Sequence, residues 1–402
     1  MKNTFTHPRF FRIAVAVFAV VLCALTACQR EVITETPEVP PEGMYISDTV
    51  HYDSEGITAY NIVYQSVDPY GEPAMLSAAI VLSDDIVQSK EGRGFMLYNH
   101  VTIFRADECP THGNIAIEKK MVKSGLFVVS ADNYGFGTTE QKNQAYCLTD
   151  ANAQASIDAL LAAKKLLEWK GYKWDDNLFV CGYSQGGHTA MSVLKVLTER
   201  YPDISVTYTF AGAGPYDIPA TYSEMVASDM AGLPSTVVSV LLTYNEYCKL
   251  DIPRSEMFLE PLLSHLDEWI LSKRYTRPQI DSLIGDLAVS QYVAPTIMNL
   301  ESETSLRIVE ALDRNSLCKG WSPRAGEKVM LFHNTSDITV PPVNTENLYH
   351  FLQQHGVEVD LYLNDYGTTG AIDAHTVGAL YFSVYAINKM AEILQIEPWS
   401  IL

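Results

Sequence analysis

The chain has 402 residues, 47% of them hydrophobic and 19% charged, a balance that excludes wholesale disorder and leaves room for a sizeable core. Length alone would allow two or three domains, but large α/β folds often remain one unit. A formal net charge of −20 with no basic cluster argues against a nucleic-acid partner.

The N-terminus reads as a targeting segment. Lys2, Arg9 and Arg12 form a positive region, and Ile13 to Ala27 is apolar but short for a membrane span, so residues 1–27 are set apart as a signal peptide. The run ends in Leu25-Thr26-Ala27-Cys28. Small residues before a cysteine resemble the lipobox of bacterial lipoproteins. The resemblance implies cleavage before Cys28, lipidation of its sulfur, and a soluble domain held at a membrane of the bacterial cell envelope without a transmembrane helix. Ordinary cleavage near Ala27, with an incidental cysteine, is the plainer alternative. Glu31 to Gly43, rich in Pro, Glu and Thr, cannot bury apolar surface, and residues 28–44 read as a flexible tether.

Tyr60 to Val67 and Met75 to Leu82 are β-rich runs around the turn signal Asp68-Pro69-Tyr70-Gly71-Glu72-Pro73, a hairpin expected to open the sheet. Gly94 to Asn99 and Leu126 to Ala131 are short apolar runs suited to central parallel strands. Ile115 to Lys123, between them, looks helical. Ala151 to Trp169 reads as an amphipathic helix with apolar Ile157, Leu160, Leu161 and Leu167. Asn177 to Cys181 is a strand, His188 to Arg200 a helix, and Ile204 to Phe210 another strand. From about Tyr216 to Gly320 helical patterns replace the alternation, at Met225 to Met230, Ser235 to Tyr247, Ser255 to Ser272 and Gln279 to Leu287. Alternation resumes with strands Lys328 to His333 and Glu358 to Leu363, and helices Asn344 to Gln354 and Thr376 to Leu394. The expectation is an α/β fold with a mainly parallel sheet, its core in 45–215 and 321–402 and a helical insertion in 216–320.

Chemistry enters at Gly182-Tyr183-Ser184-Gln185-Gly186-Gly187, between a predicted strand and a predicted helix. G-x-S-x-G is common by chance, but this context is that of a nucleophile elbow, which lifts a serine hydroxyl out of the sheet. Glycines at 182 and 186 make room for the turn. The Gln185 N–H at the helix start can stabilise developing negative charge. A serine needs a base and the base an orienting acid. With the chain order Ser, acid, His, four histidines follow the insertion. His333 lies in a strand, and His350 and His355 on or at the end of a helix; His375 sits in a loop at the carboxyl edge of the sheet, where ligands bind, and is chosen as base. Asp337, at the turn after the preceding strand, is chosen as acid over Asp373, which is too near His375 in sequence to reach its ring easily. A second oxyanion donor is expected in the loop Asn99-His100-Val101, with the Val101 N–H as candidate. His188 and Asp132 are read as structural.

From about Tyr45 onwards these residues resemble the α/β-hydrolase superfamily. The pattern is similar to secretory lipases and bacterial lipoprotein esterases, through Tyr64-Gln65-Ser66, Asp68, Gly71-Glu72-Pro73, Asp132 to Gly137, Gly182 to Gly187, Asp337 with Val340-Pro341, and His375. The resemblance implies a helical lid over an acyl pocket and hydrolysis of small-molecule or lipid carboxylic esters. It departs from those relatives at Val101, where they carry Gly after the histidine. No metal or organic cofactor is needed. The rivals are a serine peptidase of the same fold and a non-catalytic binding lipoprotein that retained it. Beyond Cys28, Cys109–Cys147 and Cys248–Cys318 could pair, with Cys181 a buried thiol; sequence does not fix the connectivity.

Overall fold

The computed structural model describes the backbone of residues 31–32 and residues 40–285, 287–370 and 372–398. The signal segment and residues 28–30 and 33–39 of the expected tether, Cys28 among them, lie outside the described residues. Ten strands form one sheet. They are β1 (Glu31–Val32), β2 (Met44–Tyr52), β3 (Ile57–Val67), β4 (Pro73–Ser83), β5 (Phe95–Asn99), β6 (Phe127–Ala131), β7 (Leu178–Tyr183), β8 (Tyr208–Gly212), β9 (Lys328–Asn334) and β10 (Glu358–Asn364). Their order across the sheet is β1-β2-β3-β4-β6-β5-β7-β8-β9-β10. The first four strands are antiparallel to their neighbours, and β6 through β10 run parallel. This is the expected mainly parallel α/β architecture.

The parallel strands are apolar along their length because helices cover both faces. Helices α1 (Thr149–Trp169) and α2 (Gln185–Arg200) pack on one face, and α8 (Ala374–Leu394) covers the other with Phe382, Ala386 and Met390 against Phe210 and Phe332. Helix α7 (Val343–Gln354) joins α2 over β9 through Leu348, Leu352 and Leu194. In α1, Ile157, Leu160 and Leu167 are buried as expected, but Leu161 is 37% exposed and belongs to the solvent face.

Several boundaries differ from expectation. The sheet does not open with the hairpin: β2 precedes it, and β1 pairs with Val50 and His51, so two residues of the expected free tether lie on the sheet edge. The helix expected over Ile115 to Lys123 shrinks to Glu118–Met121 followed by a 3₁₀ turn. Strand β8 starts at Tyr208, not Ile204. Between β8 and β9 the described residues hold helices and no named strand. These include α3 (Ile218–Ser228), α4 (Pro234–Tyr247), α5 (Arg277–Ile284) and α6 (Glu303–Asp313). The helix expected over Ser255 to Ser272 is broken into Arg254–Met257 and Leu262–Leu271, because Phe258 makes a backbone bridge with Val293 and Pro261 interrupts the chain. Buried Lys273 ties this region to the loop after β6, donating to the carbonyls of Gly135, Glu140 (2.7 Å) and Lys142. The five cysteines among the described residues are all free thiols, so neither suggested pair is formed.

One buried group carries a pH-dependent cost. Glu118 is 2% exposed, its Oε1 has no hydrogen-bond partner, and burial raises its carboxyl from 4.5 to about 7. A carboxyl raised in the folded state favours folding most below its unfolded value, and stability falls as pH rises from about 4.5 to about 7. Replacing Glu118 by Gln is therefore expected to raise Tm by several degrees at pH 8 and to change it little at pH 4, as read by calorimetry.

Candidate active site

The register aligns the carboxyl ends of the parallel strands. Asn99 stands opposite Gly182, Tyr183 opposite Gly212, and Gly212 opposite Phe332. The loops after β5, β7 and β9 therefore emerge together, and the sequence-nominated residues lie on these loops and at the start of α8.

At the end of β7 the chain turns sharply into α2, and Ser184 takes φ 57°, ψ −123°, a conformation that costs a residue with a Cβ and persists only where the surroundings enforce it. The Ser184 N–H donates to Gly212 O (2.8 Å), and the His188 N–H donates to Ser184 O (3.0 Å). Two glycines make the turn possible. A Cβ on Gly182 would lie 2.0 Å from Gly186 O, and one on Gly186 would lie 2.1 Å from Asn99 O. The second contact presses the Asn99–His100 backbone against the elbow.

His375 Nε2 lies 2.8 Å from Ser184 Oγ, and His375 Nδ1 lies 2.5 Å from Asp337 Oδ2. The carboxylate is acceptor only, so Nδ1 carries the proton and Nε2 presents its lone pair to the serine hydroxyl. His375 sits in the first turn of α8, not in a loop. Asp373 is the N-cap of that helix, accepting from Thr376 N and Oγ1, which occupies it away from the imidazole. Asp337 Oδ1 accepts from the N–H groups of Thr339 (2.8 Å) and Val340 (3.1 Å). Burial alone would push the Asp337 carboxyl up. The charge of His375, its hydrogen bond to Oδ2 and the nearby His333 ring outweigh it and hold the group well below the usual carboxylate range.

Supporting residues that sequence reasoning misses fix this set. Tyr183 Oη donates to His375 O (2.7 Å), and Asn334 Nδ2 donates to Ala374 O (2.8 Å), so the elbow strand and β9 both clamp the start of α8. Ser156 Oγ donates to Asn99 Oδ1 and Asn99 Nδ2 to Cys181 O, binding the loop after β5 to α1 and β7. Their chain separations leave no local signal; only the register brings them together.

Gln185 is the first residue of α2 and buried, so its N–H is at a helix N-terminus beside Ser184. Val101 follows β5 with 43% of its surface exposed. The loop is held by His100, whose Nδ1–H donates to Val101 O (2.7 Å) while Nε2 accepts from Asn133 Nδ2 (2.9 Å). Burial lowers the His100 pKa and keeps the ring neutral. His188 is fully buried and held at about 3 by burial, and Asp132 accepts from Ser77 Oγ, Thr111 N and Thr111 Oγ1. Both are engaged in structure.

Beside Ser184 and Asp337 opens a cavity of about 270 Å³, lined by Tyr146, Ile218, Tyr222, Met225, Val237, Leu241, Val340 and Pro341. Helices α3 and α4 supply the largest share of its wall, followed by the stretch from Asp337 to Pro342. Among the described residues no cluster of His, Cys, Asp and Glu is disposed to hold a metal ion, and no helix is long and apolar enough to cross a membrane.

Residues 111–381, well over half the chain, match the family described as secretory lipase. The chain belongs to the secretory lipase family. No curated protein matches its sequence. Among solved structures it is similar to a Legionella pneumophila protein described as a candidate hydrolase (TM-score 0.72, 21% identity, 84% of this chain and 88% of that one). It is also similar to the rice cell wall degrading esterase LipA from Xanthomonas oryzae (0.68, 19%, 92% and 96%). Candida antarctica lipase A in its closed state matches too (0.64, 14%, 92% and 82%). At these identities the neighbours carry the fold, that of the α/β-hydrolases. Membership of the secretory lipase family makes this chain a lipase-like hydrolase.

Proposed function

We propose that this chain cleaves carboxylic esters through a serine acyl-enzyme. The observation that carries the reading is the 2.8 Å contact between Ser184 Oγ and the lone-pair nitrogen of His375, which is itself aligned by Asp337. Ser184 Oγ attacks the ester carbonyl carbon as its proton passes to His375 Nε2. The tetrahedral oxyanion is met by the N–H of Gln185 and that of Val101. The alcohol leaves with the proton from His375. Water then attacks the acyl carbon, giving its proton to His375, and the acid departs as Ser184 is restored. In this reading the helical segment 216–320 is a lid, and its helices α3 and α4 wall the acyl site.

The cavity bounds the acyl group. A methylene takes up about as much room as a water molecule in the liquid, ~30 Å³, so 270 Å³ holds a short to medium chain. For p-nitrophenyl esters of increasing chain length, kcat/KM is expected to climb up to about eight to ten carbons, by at most ~0.8 kcal/mol per methylene, and to decline beyond. A maximum at acetyl or at palmitoyl would contradict the assignment of this cavity. Aminoacyl anilides assayed in parallel test the bond: faster anilide than ester cleavage would replace the esterase by a peptidase.

The chain is also proposed to be exported and lipid-anchored through Cys28, on the support of Leu25-Thr26-Ala27-Cys28 behind an apolar signal. Cys28→Ser should move the protein from the membrane to the soluble fraction and abolish incorporation of labelled palmitate.

A further inference from the structure

The acid of the proposed triad faces two histidines, not one. His375 approaches Asp337 Oδ2 from α8. His333, near the end of β9, approaches the same oxygen from within the sheet, its Nε2 at 3.4 Å, and the side chains of His333 and Asp337 are fully buried. The same Nε2 lies 2.8 Å from Val340 O. A carbonyl oxygen only accepts, so Nε2 carries the ring proton. Nδ1 lies 2.7 Å from Thr345 Oγ1 on α7, and with the proton on Nε2 it accepts the hydroxyl proton. One neutral tautomer thus satisfies every neighbour of the ring. If this position needed only packing, an apolar side chain would fill it without a buried N–H to satisfy.

We propose that His333 is a positioning residue for Asp337, its Nε2–H shared between Val340 O and Asp337 Oδ2 so that the loop from Asn334 to Val340 stays folded around the carboxylate. The inference rests on Asp337 being the triad acid. Four groups then converge on one carboxylate: the N–H groups of Thr339 and Val340 donate to Oδ1, His375 Nδ1 donates to Oδ2, and His333 Nε2 stands 3.4 Å from Oδ2. The 3.4 Å approach is long for a hydrogen bond, so its effect on Oδ2 is electrostatic, while the short bond to Val340 O anchors the loop. The other titratable group shown at this site is Tyr183, whose hydroxyl donates to His375 O and is pushed well above its ordinary value by burial and by the nearby Asp337 carboxylate.

The test compares His333→Phe, His333→Gln and Asp337→Asn with the wild-type protein. Active sites of the wild-type protein and the His333 variants are counted by fluorophosphonate titration carried to completion, and the folded fraction of Asp337→Asn by calorimetry, so unfolded material does not enter kcat. His333→Phe is expected to lower kcat per titrated site about tenfold with KM within about twofold. The acid limb of kcat/KM should move to higher pH, because a carboxylate relieved of one donor attracts the His375 proton more strongly. His333→Gln keeps an amide donor at the position of Nε2 and should stay within about threefold of wild type, its acid limb unmoved. Wild-type kcat per site and an unmoved limb in His333→Phe, whatever its Tm, overturn the proposal and leave a packing role only. Should His333→Phe not fold, ¹⁵N imidazole spectra of the wild-type protein decide, with the His333 signals identified by their loss in His333→Gln. A ring with its proton on Nε2 supports the proposal; one with its proton on Nδ1 overturns it. Unchanged turnover in Asp337→Asn overturns the triad reading itself, whereas loss there with a silent His333→Phe overturns this inference alone.

Discussion

Replacing Ser184 by alanine is expected to lower ester turnover by about a million-fold with little change in Tm. The side-chain oxygen is the only group at the elbow that an acyl carbon could bond to while His375 accepts a proton. Without it, only the proposed oxyanion donors at Gln185 and Val101 and the pocket remain, and these would support weak attack by water. The fold should not notice. Alanine keeps the Cβ that makes φ 57° costly, so the elbow is neither relieved nor further strained. The lost contact is a single hydrogen bond to His375. The measurement is kcat on a p-nitrophenyl ester alongside calorimetry; an alanine variant with more than a small fraction of wild-type turnover would remove Ser184 from the chemistry.

Asp337→Asn is expected to cost about ten-thousand-fold in kcat for a different reason. The amide is nearly isosteric, but facing His375 Nδ1 it can present an N–H. Nδ1 then becomes the acceptor and the ring proton moves to Nε2, where it points at Ser184 and cannot receive the hydroxyl proton. The carboxylate also contributes to stability. Its folded pKa is depressed, so the contribution is present above its unfolded value of 3.8 and is lost as pH falls through the lower folded value. The Tm difference between wild type and Asp337→Asn should therefore narrow as pH drops below about 4. A difference that widens there would mean that Asp337 is not held ionised by its surroundings.

Much of the sheet is legible in the sequence because its central strands are buried on both faces. Phe95–Asn99, Phe127–Ala131 and Leu178–Tyr183 are buried at every position, and continuous apolar runs that short fit a central strand better than a buried helix. Strand Met44–Tyr52 escapes notice because its first half alternates exposed and half-buried residues just after a Pro- and Glu-rich stretch. Helix Glu303–Asp313 also escapes, although Ser302 caps it by accepting from Ser305 N. Pro261 within Ser255 to Ser272 is a breaker in plain view. Asp373, three residues before Thr376, marks a helix start and moves His375 from a loop into the first turn of α8.

The candidate site divides in the same way. Ser184 and Gln185 are nominated by a local pattern, and chain order then narrows the choice to Asp337 and His375. What holds them is tertiary. Tyr183 reaches the carbonyl of a residue 192 positions later. Asn334 bonds across to the start of α8. Thr339 and Val340 act through backbone N–H groups that every residue but proline carries. Nothing in the spacing of these residues announces such contacts. Val101 stands between the two cases: its loop is located by the strand before it, and the bond from His100 Nδ1 to its carbonyl emerges only once the loop is folded.

Ser184 is proposed to be a nucleophile activated by its surroundings. The purified protein should be treated with a fluorophosphonate, digested, and the adduct located by mass spectrometry. One adduct per chain, on the peptide containing Ser184, and none after Asp337→Asn at the same exposure time, is the expected result. An unmodified Ser184 in folded protein, or an adduct carried by another residue, would contradict it.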